Sequence, residues 1–384
     1  MNHRSTVFRA PVGSTAMVGI VGDVDFSTYR KTDNNPLELL RPIFARTDIV
    51  VANVETVLSD RRLESAKKGI LLKSSSACTD ILKDIGVNCA LLANNHIDDF
   101  GVEGVEDTVA NLETRGIEVF GLVGKNGIHI SRHGISFNFV GFGTVWQDNS
   151  IVPAYGKTPG HVTKSTDSVY SDEGRQGVFF VHGFEELHSV PFPWRIELLK
   201  SIVDVLHPAV IVCGHNHVYQ GWIRYGETPI CLSYGNGFMN LPYHHKSNPD
   251  SRIGCYSVLR FDTKGCYGID EYLYCITEER IEDLPIGKAN AFFTKIDKMH
   301  ESLKTPERLQ QEWEAECFAM WKPRGLLNWP VVRSVYDRYR RIREQAKSQD
   351  GVVYVRAMRA AYLKRQYGLD IFQLRDDEKI RAED

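Results

Sequence analysis

The sequence predicts an α/β layer fold with a helical appendage at its C-terminal end, and three observations carry that reading. Between Met17 and Ser233, short runs rich in Val and Ile alternate with stretches of helical period, the pattern of buried strands joined by helices. Acidic, amide and imidazole residues follow those runs directly, at the edge where an open α/β sheet binds its ligands. Beyond about residue 278 only helical periodicity is left.

The first buried strand is Met17 to Val24 (MVGIVGDV), preceded by a short polar arm. Its apolar residues are continuous rather than alternating, as on a strand covered on both faces. Pro36 to Ala45 reads as a helix, with Asn35 at the N-cap and Pro36 at the first helical position. A second strand, Asp48 to Val54 (DIVVANV), follows, and a helical stretch over Thr79 to Ile85 leads to a third, Val87 to Ala93 (VNCALLA). Val102 to Arg115 has the period of an amphipathic helix that Gly116 stops. Gly134 to Gly143 alternates aromatic and polar residues, as on a half-buried strand. Residues 147–176, rich in Gly, Ser, Thr, Asp and Pro, read as a long surface excursion of a kind that is often functional. Strands resume at Gly177 to Val181, Ala209 to Cys213 and Pro229 to Ser233, with a helix over Trp194 to Leu206. Tyr256 to Phe261 and Tyr267 to Ile276 flank the DTKG turn of a hairpin. The appendage then reads as helices over Lys288 to Leu303, Pro306 to Trp321, Val331 to Lys347 and Val352 to Tyr367.

Composition removes several function classes. The 384 residues carry 46 Lys and Arg against 49 Asp and Glu, a formal net charge of −3, with 42% hydrophobic residues. That suits a globular chain with a sizeable core and leaves no global argument for nucleic-acid binding. No apolar run reaches the roughly 20 residues that span a bilayer, and the first residues lack the uninterrupted apolar stretch of an export signal. The eight cysteines form no CxxC pair, and Cys213 and Cys231 sit in strand-like runs where a free thiol acts as a small core hydrophobe. Disulfides are not expected, and a reducing, cytoplasmic compartment is. Of 13 histidines, seven lie between His182 and His245, a crowding that marks where chemistry belongs.

The residues that follow the strands are Asp23 in VGDVD, Glu55 in VANVET, Asn95 and His96 in LLANNHIDDFG, His182 in FVHGFEE, and His215 and His217 in VCGHNHV. Taken singly, each has a structural reading: a turn former, a helix-start carboxylate, a satisfied core histidine. Taken together, five successive strand ends carrying ligand-type residues are hard to attribute to packing. A carboxylate able to bridge, with three imidazoles, suits two ions of Mn, Fe or Zn about 3.5–4 Å apart.

The order GD, NxE, NNHxxDxG, HxxxE, GHxH and GN resembles the capsule-synthesis (CapA-type, poly-γ-glutamate capsule) branch of the calcineurin-like metallophosphoesterase superfamily. The resemblance is closest from Asp48 to Gly121 and again from Val181 to Phe238, and leaves the tail outside. It implies a four-layer α/β/β/α sandwich. It divides the chain into an N-terminal arm (1–16), a CapA-like metallophosphoesterase domain (17–278) and a helical extension (279–384). It also implies that Asp23 and His217 bind one metal, that Asn95, His182 and His215 bind the other, and that Glu55 bridges them. His96 is then the general acid rather than a ligand. Where the superfamily has Asp-x-His, this chain has Asp23-Val24-Asp25, so Asp25 is a substitute ligand or a supporting residue. Asp99 orients the His96 ring or ties down a loop; Glu186 holds a metal-bound histidine or touches substrate; Asn236 belongs to the GN turn.

The implied activity is hydrolysis of a phosphomonoester or phosphodiester by a metal-bridging hydroxide, the candidate substrates being a phosphorylated small molecule or a polymer precursor, in capsule or other polymer biosynthesis. The alternatives are an accessory metal-binding factor in polymer assembly and a metal-dependent amide or ester hydrolase. In the tail, Val331 to Arg343 (VVRSVYDRYRRIR) carries five arginines against one aspartate, and Trp313, Trp321 and Trp329 read as core anchors. The C-terminal helices are candidates for an oligomer or protein-partner surface.

Overall fold

The computed structural model describes residues 2–29, 34–65, 69–122, 125, 127–143 and 175–321. Two sheets form the body. In the first, the strands Asn2–Val7, Gly265–Ile276, Ile253–Asp262, Thr15–Val24, Ile49–Val54, Cys89–Leu91 and Glu118–Phe120 lie side by side, with Asn236–Phe238 added to Thr15–Val24 and Ile281–Asp283 to Gly265–Ile276. In the second the order is Gly221–Tyr225, Thr228–Ser233, Val210–Gly214, Gln176–His182, Ile135–Gly143 and Gly127–Arg132. The strands that end at the candidate ligands run parallel to their neighbours: Thr15–Val24 beside Ile49–Val54 beside Cys89–Leu91, and Gln176–His182 beside Val210–Gly214.

The continuous apolar runs are explained by burial of both faces of each sheet. Val18, Ile20, Ile49 and Val51 point into one cluster with Phe137, Phe139, Val178, Phe180, Val210 and Val212 of the opposite sheet. Their neighbours Val50, Ala52 and Val54 point the other way, onto Leu82, Ile85 and Leu112 of the helices Cys78–Ile85 and Gly101–Glu113. In the second sheet Phe179, Val181, Ile211 and Cys213 do the same against Ile196, Leu199 and Ile202 of the helix Pro193–Leu206. The layers are therefore α/β/β/α. Cys213 and Cys231 are buried core thiols, as their apolar surroundings suggested.

Three details depart from the sequence reading. The polar arm is an edge strand: Asn2–Val7 pairs antiparallel with Gly265–Ile276, and Arg9 behind it pairs with the buried Asp262. The helix expected over Pro36 to Ala45 is broken into a 3-10 turn, Glu38–Leu40, and one short helix, Arg41–Phe44. Pro42 has no N–H to donate back to residue 38, which prevents one continuous helix. The Asn35 side chain still accepts from Leu37 N at 2.9 Å. Of the appendage, Ile286–Ser302 inserts Ala289, Phe292, Phe293 and Ile296 into the cluster between the sheets, and Pro306–Trp321 buries Trp313 and Cys317 against Phe192. The helices expected over Val331 to Lys347 and Val352 to Tyr367, Trp329, and nearly all of the excursion 147–176 lie outside the described residues. Among the described residues, no helix is long and apolar enough to cross a membrane.

Candidate metal centre

The candidate ligands meet where the carboxyl ends of both sheets' parallel strands face each other. Close backbone approach makes this possible. A Cβ on Gly22 would lie 2.1 Å from the Gly235 carbonyl, so only glycine lets the Asn236–Phe238 strand lie against Asp23. A Cβ on Gly214 would lie 2.0 Å from the Tyr234 hydroxyl, which itself sits 3.3 Å from His182 Nδ1.

Two groups of donors result. Asp23, Glu55 and His217 offer ligand atoms within 4.8 Å of one another, and so do Glu55, His182 and His215. Glu55 is common to both. His217 Nδ1 lies 3.2 Å from Asp23 Oδ2, and His182 Nε2 lies 3.3 Å from Glu55 Oε1. The Asn95 carbonyl oxygen sits between two rings, 2.8 Å from His182 Nε2 and 3.2 Å from His215 Nδ1. Asn236 Oδ1 is 3.0 Å from His217 Nδ1, while its amide donates to the Ser251 carbonyl at 3.0 Å.

The electrostatics follow from burial and opposite charges. Burial brings His182 and His215 down to about 3, so both rings stay neutral with a lone pair to give. Burial, followed by the neighbouring charge of Asp23, holds the Glu55 carboxyl well above its usual range. For Asp23 burial pushes upward as well, but the hydrogen bond and charge of His217 and the charge of His182 outweigh it and the carboxyl is lowered. His217 is correspondingly raised, with Asp23 overcoming burial.

Two features of this arrangement fit divalent transition ions. The donors mix carboxylate, amide oxygen and imidazole, the set that suits Mn, Fe or Zn. Both Glu55 oxygens are buried without a hydrogen-bond donor, and Asp23 Oδ2 faces only the His217 ring, at 3.2 Å. Buried carboxylates of that kind are costly unless something positive faces them.

Other residues expected at the site take supporting places. Asp25 is fully buried but is taken up by Ser27 N at 2.9 Å, Ser27 Oγ at 2.5 Å and Ser74 Oγ at 3.4 Å, and it joins neither donor group. His96 donates from Nδ1 to Asp99 Oδ2 at 2.7 Å, and the same oxygen accepts from Leu72 N at 2.8 Å, so Asp99 both orients the ring and ties a loop. Its ring is 17% exposed, more open than the donors. Glu186 accepts from the Tyr243 hydroxyl at 2.5 Å.

Sequence reading missed four contributors. Asn53 donates to Asp23 Oδ1 at 2.6 Å, and Asn94 donates to Asn53 Oδ1 at 3.1 Å and accepts from His96 N at 3.2 Å. A polar residue inside the apolar run DIVVANV was the available signal for Asn53. Asn216, between His215 and His217, accepts from His188 N at 2.8 Å and donates back to His188 O at 2.7 Å. That clamp holds His215 and His217 at φ values of 81° and 61°, a left-handed backbone that non-glycine residues adopt only when the surroundings over-determine it. His244 stacks on His217 with ring centroids 4.2 Å apart. The other histidines between His182 and His245 are structural: His188 stacks on Trp313, His245 bonds to Ser251 and Asn240, and His207 caps the helix Pro193–Leu206.

Fold and site together define a two-sheet α/β/β/α protein with side chains able to hold metal ions converging at the ends of its parallel strands. The chain belongs to the bacterial capsule synthesis protein family PGA_cap, whose model matches residues 17–240. Among curated relatives, it is 27% identical over 214 residues to the capsule biosynthesis protein CapA of Bacillus anthracis, covering 51% of each chain. It is 25% identical over 264 residues to the PGA biosynthesis protein CapA of Bacillus subtilis, covering 61% of this chain and 68% of that one. The chain thus spans about half the length of the first relative. Solved structures similar to it include a hypothetical protein from Thermus thermophilus (16% identity, 68% and 100% of the two chains, TM-score 0.44). The calcineurin-like phosphoesterase YfkN from Bacillus subtilis is another (9%, 77% and 99%, TM-score 0.38).

Proposed function

We propose that this chain is a dinuclear metal-dependent phosphoesterase, with residues 17–278 as its catalytic unit and a phosphorylated metabolite or polymer precursor as substrate. The observation that carries the proposal is the sharing of Glu55, unpartnered and buried, by two groups of donors. Asp23 and His217 would hold one ion, Asn95, His182 and His215 the other, with Glu55 between them. When bound, such ions supply Lewis acidity toward a phosphoryl oxygen and lower the pKa of a coordinated water.

The chain's own residues do the rest. Neutral His182 and His215 present lone pairs, and Asn53 and Asn236 fix the orientation of Asp23 and His217. With Nδ1 tied to Asp99, His96 has Nε2 left to deliver a proton to the departing oxygen. A cytoplasmic location, proposed from the free core thiols, favours an intracellular substrate over an extracellular polymer.

The test is elemental analysis of the purified chain, then a panel of phosphomonoesters, phosphodiesters and γ-glutamyl amides. Turnover of a phosphoester by the metal-loaded chain is expected. His96→Ala should lower that turnover by a factor of about 100 with metal content retained. Bound metal without turnover on any substrate would point to an accessory binding role, and cleavage of amides alone to an amide hydrolase; either result would overturn the proposal.

A further inference from the structure

We infer that Glu186, His217 and His244 form a third, outer cation site beside the dinuclear centre, taking a divalent transition ion such as zinc; this rests on the dinuclear reading above. The three residues offer ligand atoms within 4.8 Å of one another, as closely grouped as the two inner sets. So far His244 has only its stack on His217. Its side chain is 2% exposed and its Nδ1 has no hydrogen-bond partner. Its Nε2 lies 3.7 Å from Glu186 Oε1, beyond hydrogen-bond distance. A buried imidazole left this way is destabilising unless a ligand satisfies it.

The surroundings hold the group in place for an ion. Stacking on His217, at an interplanar angle of 28°, fixes the His244 ring, and the Tyr243 hydroxyl fixes the Glu186 carboxylate. Orienting contacts of this kind accompany metal ligands. The Nδ1 of His217 faces Asp23 and Asn236, which leaves Nε2 for a second ion. Serving both requires that His217 release its remaining ring proton to solvent, one proton for each outer ion bound. Two imidazoles and one glutamate leave the fourth position of a tetrahedral ion open, as in zinc sites that bind water or substrate.

The experiment is equilibrium dialysis of the full chain against excess Zn²⁺, removal of free metal, and elemental analysis. Wild type should retain three zinc ions per chain. His244→Ala and Glu186→Gln should each retain two, with unchanged circular dichroism and, under metal, a melting temperature lowered by the loss of one bound ion. Three ions in both variants would refute the assignment of these residues. Two ions in wild type would refute the outer site while leaving the inner centre standing, and fewer than two would refute the inner centre itself. Should His244→Ala fail to fold, Glu186→Gln decides the matter by the same count.

Discussion

Glu316 is the point where the appendage grips the loop that supports the turn carrying His215 and His217. Its carboxylate accepts from Ser189 N at 2.7 Å and Val190 N at 2.9 Å, with His188 Nδ1 at 3.3 Å, and its side chain is 18% exposed. His188 in turn grips Asn216 between His215 and His217. Hydrogen bonds to a charged acceptor contribute roughly 1.5–3 kcal/mol each, less when they share one acceptor and water can enter. Glu316→Ala should therefore destabilise by about 3 kcal/mol. Glu316→Gln keeps one acceptor oxygen and should lose about half of that. Urea denaturation followed by circular dichroism measures both. The sign with pH is fixed as well. Burial opposes ionisation of Glu316, but the hydrogen bond and charge of His188 and the two backbone donors lower its pKa in the folded chain. Its contribution is present at neutral pH, above the unfolded carboxylate value, and fades as pH falls through the lowered folded value, so wild type and Glu316→Gln should converge in acid. Because the loop supports His215 and His217, Glu316→Ala should also weaken zinc binding by about tenfold, as loss of an outer-sphere partner does. Loss of less than about 0.5 kcal/mol with unchanged zinc affinity would refute the brace.

Other perturbations test the frame of the site. Gly22→Ala, whose Cβ would meet the Gly235 carbonyl at 2.1 Å, should destabilise by about 3 kcal/mol in denaturant titration and reduce bound metal through displacement of Asp23. Asp262→Asn should speed hydrogen exchange in Asn2–Val7, since Asp262 accepts from Arg9 Nη2 at 2.8 Å, Val12 N at 2.7 Å and Lys264 N at 2.8 Å. The Arg9 hydrogen bond, against burial, lowers the Asp262 pKa, so the effect should be full at neutral pH and shrink as pH falls below the ordinary carboxylate range.

What the sequence made legible was whatever a local pattern encodes. Continuous apolar runs announced strands buried on both faces, and the ligand-type residues after them announced a shared edge. The layering was harder to read, because Val50 and Val51 look alike in sequence while they face opposite layers. The edge strand Asn2–Val7 was invisible because its residues are polar and its partner lies some 270 residues away in the chain. Asn216 and His244 went unassigned for the same reason: one acts through His188 and the other through a stack on His217, and neither contact has a local spacing. The break at Pro42, by contrast, was readable from proline chemistry and should have limited the helix expected there.

Among the described residues Glu55 is a carboxylate buried at a cost, and that gives the proposed metal centre a thermodynamic signature independent of activity. Both its oxygens are buried and unpartnered, and Asp23 lies beside it. Glu55→Gln removes the cost of keeping that carboxyl buried beside Asp23, so the metal-free variant should melt no lower than metal-free wild type, an unusual sign for a substitution at a fully buried position. Ions bound only by the folded state stabilise it by RT ln(1 + [L]/Kd), about 2.7 kcal/mol per site at a hundredfold excess over Kd. Two sites together then raise the melting temperature of wild type by roughly 10 °C, at about 2 °C per kcal/mol for a chain of this size. Glu55→Gln should lose most of that rise, since one residue serves both donor groups. Differential scanning calorimetry with chelator and then with excess Mn²⁺ or Zn²⁺ reads both effects. A wild-type melting temperature indifferent to metal would refute the centre. A variant that kept the full rise would show that Glu55 is not the shared ligand.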